Sequence, residues 1–253
     1  MTLDFILTLT SNKLTPNGIN MIKNKKTSKN KIINVTFSND LMIGVLALQG
    51  GVRDHKDAVL ALGASVREVK KPSDLVGLSG LIIPGGESTT IGKLLFSYSL
   101  IEPIKAKAKS GMPIFGTCAG LIALAKNIID SKESLLGLMD IDVKRNAFGR
   151  QVDSFEADID ISTLGPEPFR AVFIRAPWIE SKGDNVEVLA TINDESQDYD
   201  RIVMVDEGSL LACAFHPELT DDLRIHRYFI DKARLWQERS IVPVVDGEME
   251  DAR

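Results

Sequence analysis

The chain has 253 residues, 44% hydrophobic and 26% charged, with a formal net charge of −5. That composition is globular and long enough for a large core, and its mild acidity argues against a nucleic-acid binder. Two cysteines exclude a disulfide framework and a Cys-rich zinc site and fit a reducing compartment, the cytoplasm, while no apolar run is long enough to span a bilayer.

Residues 1–41 hold six lysines and two aspartates, so they carry +4 and leave −9 on the remainder. They are rich in Asn, Ser and Thr and lack sustained periodicity, which predicts a disordered basic extension. The segment fits neither a secretory nor a mitochondrial signal: Asp4 precedes a short apolar stretch, and the first arginine is Arg53. Three readings stay open: a targeting segment of unusual form, a dispensable tail, or an in-frame reading artefact upstream of Met42 as the true start.

From Met42 the pattern changes. Met42 to Leu48 is an apolar run ending at Gln49-Gly50-Gly51, which predicts a buried strand. Residues 52–62 place Val52, Val59 and Leu62 on one helical face, with Gly63 suited to the position after a helix end. Val66 to Val69 and Leu81 to Ile83 read as strands, the second ended by Pro84-Gly85-Gly86. Residues 90–109 read as helix interrupted near Pro103. Pro113 to Phe115 reads as a strand, and Leu121 to Ile129 as helix. Strands alternating with helices predict an α/β, three-layer fold with a mixed, mostly parallel sheet flanked by helices.

The second half is richer in short strands: Ile141 to Val143, Glu156 to Ile161, Ala171 to Ile174, Val186 to Ile192, Ile202 to Asp206 and Leu210 to Phe215. Their close spacing predicts antiparallel pairing at a sheet edge. Residues 221–238 close the domain as a helix, with Ile225, Phe229, Ala233 and Trp236 at helical spacing and Asp221 and Asp222 near its start. Residues 42–238 contain no repeat or linker and read as one domain, followed by a flexible tail over 239–253.

Gly116-x-Cys118-x-Gly120 lies between a predicted strand and a predicted helix, the cysteine form of a nucleophile elbow. The following helix start favours thiolate and places the Ala119 N–H to donate to an oxyanion. The competing reading is a packing cysteine in a tight turn. A thiolate nucleophile needs a base, and the chain has three histidines. His216 follows a predicted strand, and Glu218 can stand behind its imidazole. His226, between Arg224 and Arg227, reads as a helix-surface residue. His55 reads as structural, with a place bordering the site or a partner surface as the alternative. Cys213 lies in an apolar strand and reads as packing. Elimination leaves Cys118, His216 and Glu218. The Pro84 to Thr90 loop lacks a phosphate-loop ending, and its glycines suit a second oxyanion donor.

Three strings together, Pro-Gly-Gly-Glu at 84–87, Gly-Thr-Cys-Ala-Gly at 116–120 and His-Pro-Glu at 216–218, resemble the class I, or triad, glutamine amidotransferases. Further strings narrow the resemblance: Leu46-Ala-Leu-Gln-Gly50, Gly-Glu-Ser-Thr-Thr at 86–90, Arg145-Asn-Ala-Phe-Gly-Arg-Gln151, Ser154-Phe-Glu156, Phe173-Ile-Arg-Ala-Pro177 and His-Pro-Glu-Leu at 216–219. These resemble the glutaminase subunits of pyridoxal 5′-phosphate synthase from about Met42 to the closing helix; residues 1–41 have no counterpart in that pattern. The resemblance implies a class I glutamine amidotransferase (flavodoxin-like) fold. It also implies hydrolysis of L-glutamine through a Cys118 thioester, with His216 as acid and base and Glu218 orienting it. Gly86 and Ala119 would supply oxyanion N–H groups, and Gly86, Glu87, Ser88, Arg145, Ile174 and Arg175 would bind glutamine. No metal or cofactor is implied, nor any nucleic acid or membrane.

The implied partner is a (β/α)8-barrel synthase subunit, in a large ring assembly with equal numbers of both subunits. It would use the ammonia with ribose 5-phosphate and glyceraldehyde 3-phosphate. The expectation that follows is a site incomplete until docking, switched by a peptide flip in the 84–87 loop that aims the Gly86 N–H at the oxyanion. Rival readings are a triad glutaminase serving another synthase, a non-catalytic regulatory subunit of the same fold, and a cysteine peptidase on a similar fold.

Overall fold

The structure, a computed structural model, describes residues 41–129, 131, 135–145, 154–193 and 200–241. The extension up to residue 40 and the tail beyond 241 lie outside the described residues, as does the Arg145 to Gln151 string after Arg145 itself.

In chain order the elements are β1 (Met42–Leu46), α1 (Val52–Ala61), β2 (Ser65–Val69), β3 (Gly80–Ile83), α2 (Ser88–Ser97), α3 (Ile101–Lys109), β4 (Ile114–Thr117) and α4 (Ala119–Leu124). There follow β5 (Ala125–Ile128), β6 (Met139–Lys144), β7 (Ser154–Ile159), β8 (Phe169–Ile174), β9 (Trp178–Lys182), β10 (Glu187–Ile192), β11 (Arg201–Glu207), β12 (Leu210–Cys213) and α5 (Arg224–Ile241).

The main sheet runs β2-β1-β3-β4-β12-β11-β9-β6-β5, with β10 also on β11. Its first five strands are parallel; β11 and β9 then turn it antiparallel, as the crowded short runs predicted. β7 and β8 form a separate antiparallel pair, locked by Phe155 stacked on Phe173 at 4.6 Å between ring centres.

Residues of the parallel strands alternate between two cores. Leu81, Ile83, Ile114, Leu210 and Ala212 face α2, α3 and α4, through side chains such as Ile91, Ile104 and Leu121. Ile43, Val45, Ile82, Phe115 and Leu211 face α1 and α5, through Val59, Ile225, Phe229 and Ala233. A period-two pattern in which both faces are apolar is what a sheet covered on both sides requires. The sequence therefore reads as near-continuous apolar runs, and the three-layer expectation holds.

Four local expectations are corrected. The helical stretch 90–109 breaks at Ser99, which has φ +54°, and Pro103 sits inside the first turn of α3. A first-turn proline loses no helical hydrogen bond, so it does not interrupt. The helix expected over 121–129 ends at Leu124. Residues 125–128 instead pair parallel with β6, and the last helical carbonyls accept from Leu136 N and Leu138 N. Sheet pairing there overrides a run of good helix formers. β9, with only two apolar residues at its start, was not foreseen. The closing helix starts at Arg224 rather than 221, with the Asp222 carboxylate accepting from Arg224 N at 3.0 Å.

Candidate active site

The carboxyl ends of the central parallel strands carry the site, the edge where open α/β sheets hold ligands. β4 delivers Cys118 directly into α4. Its backbone sits at φ +50°, ψ −104°, a strained geometry for a non-glycine residue. The flanking glycines are there for space. A Cβ on Gly120 would lie 2.0 Å from the Ile83 carbonyl oxygen, and one on Gly116 would lie 2.5 Å from that of Gly120. The elbow therefore needs glycine on both sides because α4 packs directly against β3 and its own strand.

β12 leads to His216, whose backbone N–H donates to Val172 O at 2.8 Å. His216 Nδ1 meets Glu218 Oε1 at 2.8 Å, with the Glu218 side chain 1% exposed. Gly85 crosses over this pair: a Cβ there would lie 2.4 Å from His216 Cε1 and 3.2 Å from Cys118 Cβ. Cys118, His216 and the 84–87 loop thus converge on one point. Burial lowers the His216 pKa, but hydrogen bonds with Cys118 and Glu218 outweigh it and raise the pKa to about 10. An imidazolium beside the sulfur places a proton donor next to the candidate nucleophile. Cys213 is buried, and burial pushes its thiol well up, so the packing reading holds for it.

Cys118 opens onto a cavity of about 440 Å³. Gly86, Glu87, Ser88, Ala119, Arg145, Ile174, Arg175 and His216 all line it, so every residue expected to bind glutamine faces one space. Glu218 stands behind His216, outside that lining. Arg175, with φ +43°, is a second strained residue on the wall. Both Arg145 and Arg175 are available to a carboxylate, for which guanidinium is the matched partner.

Gln49, Thr89 and Ile122 also line the cavity and were not singled out as site residues. Gln49 holds the glycine loop: its Oε1 accepts from Glu87 N at 2.8 Å and leaves no room for a Cβ on Gly86. Its place at the end of β1, before two glycines, was the signal available. Among the described residues no group of three His, Cys, Asp or Glu side chains is placed to hold a metal ion.

Glu87 has a structural duty that sequence reasoning missed. Its carboxylate caps α2, accepting from Thr89 N at 2.9 Å and Thr90 N at 2.6 Å. Hydrogen bonds from the Thr90 side chain and Thr89 N–H lower its pKa to about 2. Glu87→Ala is expected to cost about 1 kcal/mol, the usual worth of an N-cap, or about 2–4 °C in melting temperature for a domain of this size. A depressed pKa means the contribution is complete above the ordinary 4.5 and lost as pH falls toward 2. Melting curves of the variant and the parent should therefore converge in acid; a constant gap down to the lowest pH would contradict the cap.

The family model of the SNO glutamine amidotransferase family matches residues 45–235. The chain belongs to the SNO glutamine amidotransferase family. Similar members are named pyridoxal 5′-phosphate synthase subunit PdxT. The one from Pelotomaculum thermopropionicum is 58% identical over 192 residues, 76% of this chain and 95% of that one. The one from Moorella thermoacetica is 56% identical over 190 residues, 75% and 98% of the two chains. A crystal structure of a glutamine amidotransferase superposes with TM-score 0.70 at 49% identity, covering 76% of this chain and 98% of that one. PurLQS from Thermotoga maritima, at 17% identity and TM-score 0.55, shares the fold. The three-layer α/β fold is thus that of the family.

One histidine does not sit where the sequence placed it. His226 is fully buried on the inner face of α5, while His55, fully buried on α1, keeps its structural reading. The arginines flanking His226 had suggested surface; helical geometry turns residue 226 inward beside Ile225 while its neighbour in sequence, Arg227, turns away.

Proposed function

We infer that this chain hydrolyses L-glutamine to glutamate and ammonia and supplies the ammonia to pyridoxal 5′-phosphate synthase. The observation that carries this reading is the elbow cysteine beside the His216–Glu218 pair, opening on a cavity lined by two arginines. The names of the similar family members support the synthase assignment over another ammonia acceptor.

The mechanism follows from the groups present. The Cys118 thiolate attacks the side-chain amide carbon of glutamine. The N–H groups of Gly86 and Ala119 take the oxyanion, which the start of α4 further stabilises. His216, held as imidazolium, gives its proton to the departing nitrogen, and ammonia leaves. A glutamyl thioester remains. Neutral His216 then draws a proton from water, which attacks the thioester, and Cys118 is expelled as thiolate with His216 again protonated. Glu218 keeps Nδ1 of His216 as the donor, so Nε2 faces the reaction. Gly86, Glu87, Ser88, Arg145, Ile174 and Arg175 hold the amino acid, with guanidinium on its carboxylate. The intact set of groups disfavours a non-catalytic subunit, and the charged pocket disfavours a peptidase.

Ammonia released into water near neutral pH is captured as ammonium and ceases to be a nucleophile. A separate glutaminase therefore serves its synthase best when docked over the site. We assign the partner as a (β/α)8-barrel synthase subunit in the cytoplasm, joined in a ring assembly with equal numbers of both subunits. Docking would flip a peptide in the 84–87 loop and aim the Gly86 N–H at the oxyanion. A misaimed oxyanion donor costs about 10²–10³-fold in turnover, so adding the synthase is expected to raise glutamine hydrolysis by about 10²-fold. Equal turnover with and without the synthase would sink the docking switch.

A further inference from the structure

Behind the triad lies a buried chain of polar groups that the mechanism above does not use. Glu218 Oε1 is engaged by His216, while Oε2 makes no hydrogen bond of good geometry among the described residues. His55 Nε2 lies 3.4 Å from that Oε2 and 3.2 Å from Thr117 Oγ1. His55 Nδ1 is 2.9 Å from His226 Nε2, and His226 Nδ1 is buried without a partner among the described residues. Both rings are fully buried, so burial lowers their pKa values, that of His226 to about 4 and that of His55 well below 6.5. Both are neutral near pH 7, and each carries one ring proton.

Two tautomer arrangements are possible, and they differ in cost. With the proton on His55 Nδ1, it donates to His226 Nε2. His226 then buries an N–H at Nδ1 with no acceptor, and the His55 Nε2 lone pair faces a carboxylate. With the proton on His55 Nε2, it points at Glu218 Oε2 and Thr117 Oγ1, both able to accept. His226 then donates from Nε2 to His55 Nδ1, and a lone pair is left bare at His226 Nδ1. Each arrangement leaves one buried donor without an acceptor among the described residues, the His226 Nδ1–H in the first and the Thr117 O–H in the second, so the His55 lone pair turned on the Glu218 carboxylate in the first is the deciding cost. The second arrangement is therefore the one the site holds. Thr117 Oγ1 also accepts from Gly85 N at 3.0 Å, so the same hydroxyl ties this network to the glycine loop.

We propose that His55 is a positioning residue of the triad. Its Nε2–H holds the Glu218 carboxylate in line with His216 Nδ1, and His226 fixes the tautomer that makes Nε2 the donor. A neutral donor is what the site needs, because a second cation here would compete with the His216 imidazolium for the same carboxylate. Asp54, Asp57 and Asp221 line the cleft on the outer side of Glu218 and add only negative charge. The proposal rests on Cys118, His216 and Glu218 being the triad.

The test uses the full chain with its synthase and two amide variants. In His55→Gln the amide nitrogen overlays Nε2 and still reaches Glu218. In His55→Asn it overlays Nδ1, keeping the link to His226 and losing the one to Glu218. His55→Asn is expected to lose at least about tenfold in kcat with little change in KM, since an orienting group acts on chemistry rather than binding. His55→Gln should recover most of that loss. Imidazole NMR gives a separate readout, with only three histidines in the chain. The His216 titration should move down from about 10 in His55→Asn and stay in His55→Gln. Full activity in His55→Asn, or a loss shared equally by both variants with the His216 titration unmoved, would overturn the proposal. If Cys118→Ala still hydrolysed glutamine, the triad reading itself would fall. If that variant is inert and His55→Asn is not impaired, only the role of His55 falls.

Discussion

Cys118→Ala is expected to abolish glutamine-dependent synthesis by the complex while leaving synthesis from added ammonium salt intact. Loss of a covalent nucleophile removes the whole thioester route, so the drop in hydrolysis should be on the order of 10⁴-fold or more. The variant should fold normally. Alanine tolerates φ +50° no worse than cysteine does, and the sulfur's contacts are the hydrogen bond with His216 and a weak one, 3.9 Å to Ile174 O. Melting temperature is the control. The ammonium arm shows that the synthase itself is undamaged, but a variant that no longer docked or folded would give the same result. Binding of the variant to the synthase, measured directly, completes the set. Residual hydrolysis within tenfold of the parent would remove Cys118 from its role.

The second large effect belongs to His216→Asn. Asparagine keeps a nitrogen near the position of Nδ1, so the contact with Glu218 and the backbone bond to Val172 can persist. What it lacks is a group at Nε2 that gives a proton to the leaving nitrogen and later draws one from water. Turnover should fall by about 10⁴-fold or more, and added synthase should not restore it. The variant also bears on stability. The His216 pKa is raised to about 10, so its stabilising pairing is complete below the ordinary 6.5 and lost as pH rises through about 10. The parent should accordingly melt above His216→Asn near pH 6 and approach it near pH 10. Substantial turnover in the variant would show that another group moves the proton.

These two experiments address residues that chain order alone had brought together. Each lies just after a short apolar run: Cys118 after β4 and His216 after β12. In the fold β4 and β12 are adjacent and parallel, with Cys213 paired to Thr117. Strand ends are legible because a buried strand is a dense local signal, and glycines mark where it stops. The cavity lining was legible for a different reason. Its members occur in short strings, at 86–88 and 173–177, that resemble one family.

Other features were invisible to any local reading. The end of α4 at Leu124 depends on β6 arriving beside residues 125–128, and no property of those residues alone announces that partner. The break at Ser99 rather than Pro103 depends on how α2 and α3 each settle on the sheet. His226 looked exposed because arginines flank it, yet the face of α5 that carries Ile225, Phe229 and Ala233 carries it inward as well.

The amino-acid sequence by itself determined the α/β class, where along the chain the core strands lie, and the candidate elbow cysteine, histidine and carboxylate. These follow from patterns that span a few residues each: apolar runs, bracketing glycines and a His-x-Glu step. Only the tertiary structure decided which polar groups stand behind the reacting ones. His55 lies 163 residues from Glu218 in the chain, and their approach to 3.4 Å exists only because α1 packs beneath the turn that follows β12. Burial then fixes what those groups can be, since an imidazole shut away from water stays neutral and must spend its one proton on the acceptor the fold presents.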